Sequence, residues 1–234
     1  MMPQGLLTLL LVGLTLLSYL FSRFLSERFR HPLLNVVVLG AAGVIAVLLL
    51  AGLPYESYAP AQEIMGILLG PATVSLAVPL YRYRRLLVRA APAILGSVAV
   101  GSFISMATAS FMAIVLGLPE SAVIPIMVKG VSMPFAVELV ELYKADPALA
   151  SVFVMMAGIL GAFLGAWTLN AFGLKEPMGR GLALGTIAHA QGIVAALPEG
   201  ELPGSMAGLA MILTGIFTAV FFPVMIWILK LLNF

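Results

Sequence analysis

Charge is nearly missing from this chain: only 9% of its 234 residues are Asp, Glu, Lys or Arg, and they gather between long apolar runs. Soluble domains carry about 25% charged residues, enough to face water all round. A surface this poor in charge must instead face lipid. Runs approaching the roughly 20 apolar residues of a bilayer crossing occur eight times, at about 5–21, 33–53, 62–80, 91–117, 121–143, 148–172, 180–197 and 205–231. They predict an all-α polytopic membrane protein with a single transmembrane domain over 1–234, since every loop is short and no Gly/Ser linker intervenes. Periodicity adds little, because helices that are apolar all round have no amphipathic stripe. Length and punctuation have to decide.

Basic residues in short loops mark the cytoplasmic side. The loop after the first segment holds Arg23, Arg28 and Arg30, and the loop after the third holds Arg82, Arg84, Arg85 and Arg89. Between them, 54–62 contains Glu56 and no basic residue. The amino terminus is therefore expected outside. If segment 121–143 enters and leaves on the outer side, Lys175, Arg180 and Lys230 fall inside and the acidic loop with Glu199 and Glu201 falls outside. This favours seven crossings plus one re-entrant segment with a cytoplasmic carboxyl terminus; eight plain crossings are the alternative. The favoured layout gives 33–117 and 148–231 opposite orientations, each with an interrupted middle segment, linked by 121–143. Such a pattern is the mark of an inverted-repeat transporter.

Three segments depart from simple membrane helices. In 69–81, Gly70, Pro71 and Pro79 interrupt a stretch bearing Thr73 and Ser75. Proline removes a backbone donor and disfavours helix before it, and unpaired backbone at membrane depth survives only inside protein or beside a wet cavity. The stretch is a kinked structural helix or a broken one that binds solute. In 125–134, Lys129 lies between Pro125 and Pro134 with Gly130 and Ser132 beside it. A lysine at bilayer depth costs about 3 kcal/mol or more, so it snorkels, pairs with Glu138 or Glu141, or anchors an anionic solute. In 181–192, Gly181, Gly185 and Gly192 allow close helix approach, while Thr186, His189 and Gln191 supply polarity. His189 is a packed hydrogen-bonding residue or, with an ordinary pKa near 6.5, a candidate for proton coupling.

Other features read plainly. Tyr81-Arg82-Tyr83-Arg84-Arg85 suits an interfacial anchor in contact with membrane lipid, and Asn170 a helix-end hydrogen bonder. His31 belongs to a solvated loop, and the thirteen methionines fill packing gaps. No cysteine is present, so thiolate metal sites and disulfides are excluded. No metal site and no cofactor is expected. A net charge of +2 gives no case for nucleic acid. His-Glu-x-x-His, Gly-x-Ser-x-Gly and paired aspartates are all missing, so an enzyme is not expected.

Leu69 to Tyr81 is nearly identical to an LGPATVALAVPLY run of the LrgB/CidB family, and Gly181 to Gly192 resembles that family's G-x-A-x-G-T-x-x-H-A-x-G stretch, with His189 at its histidine. The likeness spans about 33 to 230. It departs at 128–134, where the family reads P-K-S-V-T-T-P and this chain has Val-Lys-Gly-Val-Ser-Met-Pro. The lysine and last proline stay, while hydroxyls are lost at Gly130 and Met133. The family's Gly-Gly-Ile-Pro-like stretch is also replaced, by Lys144-Ala145-Asp146-Pro147. The resemblance implies two functional traditions. One is an antiholin-like regulator of murein hydrolase activity, beside a small LrgA/CidA-type membrane partner. The other is carriage of glycolate, glycerate or pyruvate.

Taken together, these residues lead us to expect a homo-oligomeric carrier in the cell membrane, moving a small organic anion with H+ or Na+. Thr73, Ser75, Lys129, Ser132, Thr186, His189 and Gln191 would line its site. Gly70, Pro71, Pro79, Pro125, Gly130, Pro134 and Gly185 would break its helices.

Overall fold

A computed structural model describes residues 4–29, 36–68, 71, 74–75 and 77–231. These are helical or in short connections, and they divide into two compact units, Met1–Ala77 and Val78–Phe234. The expected repeat 33–117 straddles that division.

In the first unit, α1 (Gln4–Phe29) and α2 (Val36–Leu50) run antiparallel, then a short 3₁₀ turn (Tyr55–Ser57) leads into α3 (Ala59–Ile67). Glycine sets the α1–α2 spacing: a β-carbon on Gly43 would strike the Ser18 hydroxyl, which itself donates to the Gly40 carbonyl at 2.9 Å. Leu11, Val44, Leu48 and Ala61 form the buried core, and the Thr15 and Tyr58 hydroxyls meet at 3.0 Å.

The division falls at the first residue of α4 (Ala77–Arg82), and the second unit goes on through α5 (Arg84–Val115), α6 (Glu120–Met127), α7 (Met133–Leu142), α8 (Pro147–Ala171), α9 (Pro177–Ala196) and α10 (Glu201–Leu231). Capping explains two of the starts. Asp146 accepts from the Ala148 and Leu149 amides, and Glu176 from those of Met178 and Gly179, each followed by a proline whose missing N–H costs nothing there. Helices α5 and α10 are parallel: Ile94 and Val98 pack with Met206 and Ala210, and further along Phe103 meets Phe221 edge-on at 5.6 Å.

Two interrupted segments occupy the space between these long helices. Arms α6 and α7 have 8 and 10 residues, about 12 and 15 Å, or roughly half a bilayer. Glu120 and Val123 at the start of α6 lie beside Leu229 and Lys230 near the end of α10. Helix α7 then runs back alongside α10, with Phe135 against Gly215 and Tyr143 against Phe222 at 5.0 Å between rings. Residues 120–142 are thus a helical hairpin (hairpin 1) whose base lies toward the carboxyl end of α10.

Helix α9 looks continuous in its hydrogen-bond pattern but is not. His189 has φ 43° and ψ −125°, which ends one arm and starts another. Arg180 and Glu199, 19 residues apart, would be separated by about 28 Å in a straight helix. They are bonded at 2.6 Å. Residues 177–199 are a second hairpin (hairpin 2), its base beside the amino end of α10, where Gly181 packs on Pro203 and Met206. The two hairpins approach from opposite ends of the unit and meet at their tips. A β-carbon on Gly130 would lie 3.5 Å from the Thr186 carbonyl oxygen.

This geometry corrects the charge-based topology. Five described helices, Pro177–Glu199 among them, are long and apolar enough to cross a membrane; that one doubles back. Glu199 and Glu201 do not face away from the basic residues. They bond Arg180 and, at 2.9 Å, Arg82. Lys230 lies at the other end of α10 from this cluster, so the carboxyl end and the Arg82–Arg89 loop do not share a side. Counting each apolar run as one crossing fails at His189, because a one-residue backbone reversal leaves composition unchanged.

Candidate functional site

Lys129 sits at the tip of hairpin 1 because α6 ends at Met127 and α7 cannot start before Ser132, its N-cap. Pro125 lies buried in the last turn of α6 and Pro134 occupies the first turn of α7, so the five residues between the arms stay non-helical. The ammonium group, half-buried, donates to the Ser105 hydroxyl of α5 at 2.7 Å. Among the described residues no carboxylate lies within ion-pair distance of it. Glu138, on the following arm, is exposed.

A cavity of about 510 Å³ opens beside this contact. Its polar border is Ser97, Ser105 and Thr108 from α5, Lys129 from hairpin 1 and Thr186 from hairpin 2. The Thr186 hydroxyl donates to the Leu182 carbonyl at 2.7 Å, so toward the cavity its oxygen can only accept. Gly101 of α5 brings that helix close: a β-carbon there would be 3.2 Å from the Thr186 methyl.

The structure therefore brings Lys129, Gly130 and Thr186 together. It turns His189 elsewhere. The imidazole is buried against α8, its Nε2 3.0 Å from the Val154 carbonyl. A carbonyl only accepts, so Nε2 carries the proton and Nδ1 is left as the acceptor. Gly158 makes room, since a β-carbon there would stand 2.5 Å from His189 Cε1 and 3.3 Å from the Gln191 carboxamide carbon. Gln191 Oε1 is buried with no hydrogen-bond partner among the described residues. Ser132, His189 and Gln191 do not border the 510 Å³ cavity. Gly185 packs on the Ala207 backbone and serves hairpin 2's contact with α10. Ser75 and Pro71 are helical and exposed in the first unit, and Pro79 lies within α4, while Gly70 and Thr73 fall outside the described residues. Among the described residues no three His, Asp or Glu side chains cluster as metal ligands would.

Sequence reasoning missed Ser105. The signal was present as Ser97, Gly101, Ser105 and Thr108, spaced to share one face of α5. It also missed the clasp at the base of hairpin 2. There Arg180 donates to both Glu199 oxygens at 2.6 Å, to Asn170 Oδ1 at 2.9 Å and to the Leu174 carbonyl at 2.8 Å. At the membrane-edge cluster, the Arg84 guanidinium stacks over the Tyr81 ring at 4.3 Å.

Residues 15–228 match the LrgB-like family. The chain belongs to that family. It is 32% identical to the uncharacterized protein YxaC of Bacillus subtilis over 97% of this chain and 99% of the relative. It is 25% identical to the holin-like protein CidB of Staphylococcus epidermidis over 96% and 98% of the two chains, and to that of Staphylococcus aureus over 93% and 95%. No solved structure matches it. Its family and its apolar helices make it a multi-pass membrane protein.

Proposed function

We propose that the chain is a carrier of small organic monocarboxylates, working by alternating access, with Lys129 as the anchor for the carboxylate. One observation carries this reading. A lysine ammonium faces a hydroxyl-lined cavity midway along α5 with no described carboxylate to neutralise it. An unpaired charge at membrane depth is costly to keep, which favours a role in recognising an ion of opposite sign. The Ser105 hydroxyl, which accepts from Lys129, would donate its own proton to the bound anion. Hairpins entering from opposite ends would act as the inverted, re-entrant elements of such a carrier, with substrate held where their tips meet. The unpartnered Gln191 Oε1 and the acceptor Nδ1 of His189 are the groups that a coupling H+ or Na+ would use.

Uptake of labelled pyruvate or glycolate into proteoliposomes tests the proposal. Lys129→Ala should cut uptake by more than about tenfold, since charge-assisted contacts are worth about 1.5–3 kcal/mol. Uptake equal to that of the unaltered chain would remove the anchor and the proposal with it. The names of the CidB relatives favour a second reading, a holin-like regulatory subunit that acts with a small LrgA/CidA-type partner. In that case the purified chain alone should give no saturable flux, and flux should appear only when the partner is added.

A further inference from the structure

The hydroxyls that border the cavity beside Lys129 are not equivalent. Thr186, Ser97 and Thr108 each donate inside their own helix, to the carbonyls of Leu182, Ile94 and Ile104 at 2.7, 3.1 and 2.7 Å. A hydroxyl has one proton, so toward the cavity all three present lone pairs only. Ser105 differs. It accepts from Lys129, and among the described residues its own proton has no acceptor. The site thus has two chemical poles: Lys129 and Ser105 donate, while Thr186, only 6% exposed, accepts. The poles lie close together, since a β-carbon on Gly130 would stand 3.5 Å from both the Ser105 hydroxyl and the Thr186 carbonyl oxygen. That carbonyl, too, can only accept. A carboxylate satisfies the donor pole, but at neutral pH it brings no proton for the acceptor pole.

We infer that the substrate is a hydroxylated monocarboxylate, its carboxylate on Lys129 and Ser105 and a hydroxyl one or two carbons away donating to Thr186. The inference rests on the carrier reading above and divides its substrate class. A hydroxy acid brings the missing donor. An oxo acid sets carbonyl lone pairs against those of Thr186, and an unsubstituted acid sets a methylene there. Sites that bond a substrate hydroxyl discriminate against analogues without it, because a polar group of the site is then left unpaired. Lys129 gives affinity for any small carboxylate, and Thr186 is the specificity-determining residue.

Lactate, 3-hydroxypropionate, pyruvate and propionate provide the test, because all are ionised at neutral pH and nearly equal in size. Thermal stabilisation of the full chain in lipid nanodiscs, titrated with each acid, gives relative affinities. The better of the hydroxy acids should bind about tenfold more tightly than pyruvate or propionate. Thr186→Val should bring that ratio close to unity without weakening propionate, and Thr186→Ser, which keeps a hydroxyl, should retain it. Lys129→Met should abolish the response to every acid. Equal, Lys129-dependent binding of all the acids, or a preference for pyruvate, would overturn the inference and leave the anion carrier standing. A hydroxy-acid preference that survives Thr186→Val would overturn the assignment to Thr186. No Lys129-dependent response to any acid would sink the carrier reading and this inference with it.

Discussion

The two hairpins solve the same problem, turning a chain around at mid-depth, by opposite means. Hairpin 1 turns through five non-helical residues and places a charged side chain at its tip. Its arms gain their packing from α5, α8 and α10, through one cluster that includes Val123, Met127, Ala136, Val140 and Phe222. Hairpin 2 turns at a single residue. Gly192 lets the second arm lie on the Leu184 carbonyl of the first, and Arg180 clamps the base to Glu199 and Asn170. A longer, charged turn meets a tight, glycine-zipped one. On the reading proposed above, the first serves charge recognition and the second rigidity.

Single-methyl insertions should break that contrast most sharply. At Gly185 a β-carbon collides with the Ala207 backbone, which cannot swing aside, so Gly185→Ala should cost about 3 kcal/mol. At Gly130 the same methyl meets Ser105 and Thr186 at an ordinary 3.5 Å, so Gly130→Ala should cost less than about 1 kcal/mol. Reversible unfolding in mixed micelles measures both, and equal losses would erase the distinction between the two turns.

The clasp comes next. Arg180 and Glu199 have side chains only 11% and 22% exposed, so losing one partner strands a partly buried charge. Glu199→Gln should destabilise by about 2 kcal/mol. An Arg180/Glu199 double-mutant cycle should return most of that as coupling. Near-zero coupling would mean that the arms are held by packing alone.

Lys129 should respond in the other direction. Removing a charge with no described counter-ion removes its desolvation cost, so Lys129→Met should raise stability by about 1 kcal/mol while carboxylate uptake is lost. Lower stability together with normal uptake would make Lys129 a structural residue. The smallest effects belong to the caps, where the hairpins should not differ. Asp146→Ala after hairpin 1 and Glu176→Ala before hairpin 2 each remove a helix-capping carboxylate. Each should cost about 1 kcal/mol or less, and a large disparity would show that one cap also holds its hairpin.

How much of this was legible beforehand varies by residue. Pro125, Gly130 and Pro134 around Lys129 mark a segment prone to break, although Pro92 and Pro223 lie inside continuous helices, so proline alone does not decide the matter. His189 announced nothing of the kind. A non-glycine residue with positive φ is uncommon, and only contacts with Val154 and Gly158 make that backbone worthwhile. The sequence marks the glycines around His189 as helix-contact residues and Gly185 also as a helix break; Gly181 and Gly185 pack on α10, while the break falls at His189. Gly192 instead packs the arm onto its own partner arm, a distinction no spacing rule could draw. Ser105 was hidden because its partner lies 24 residues away on another element.

The sequence by itself determined the solvent and marked the punctuation: lipid, because 9% charge cannot clothe a soluble surface, and a weak point for helix around Lys129, where Pro125, Gly130 and Pro134 crowd together. Only the tertiary structure decided that residues 177–199 return to the end they entered, that acidic Glu199 and Glu201 sit with arginines, and that Lys129 faces Ser105 while His189 faces α8. Those outcomes depend on which surfaces meet. Composition and spacing constrain what each segment can be, but the direction of a chain reversal and the partner of a buried polar group are set by packing across the whole unit.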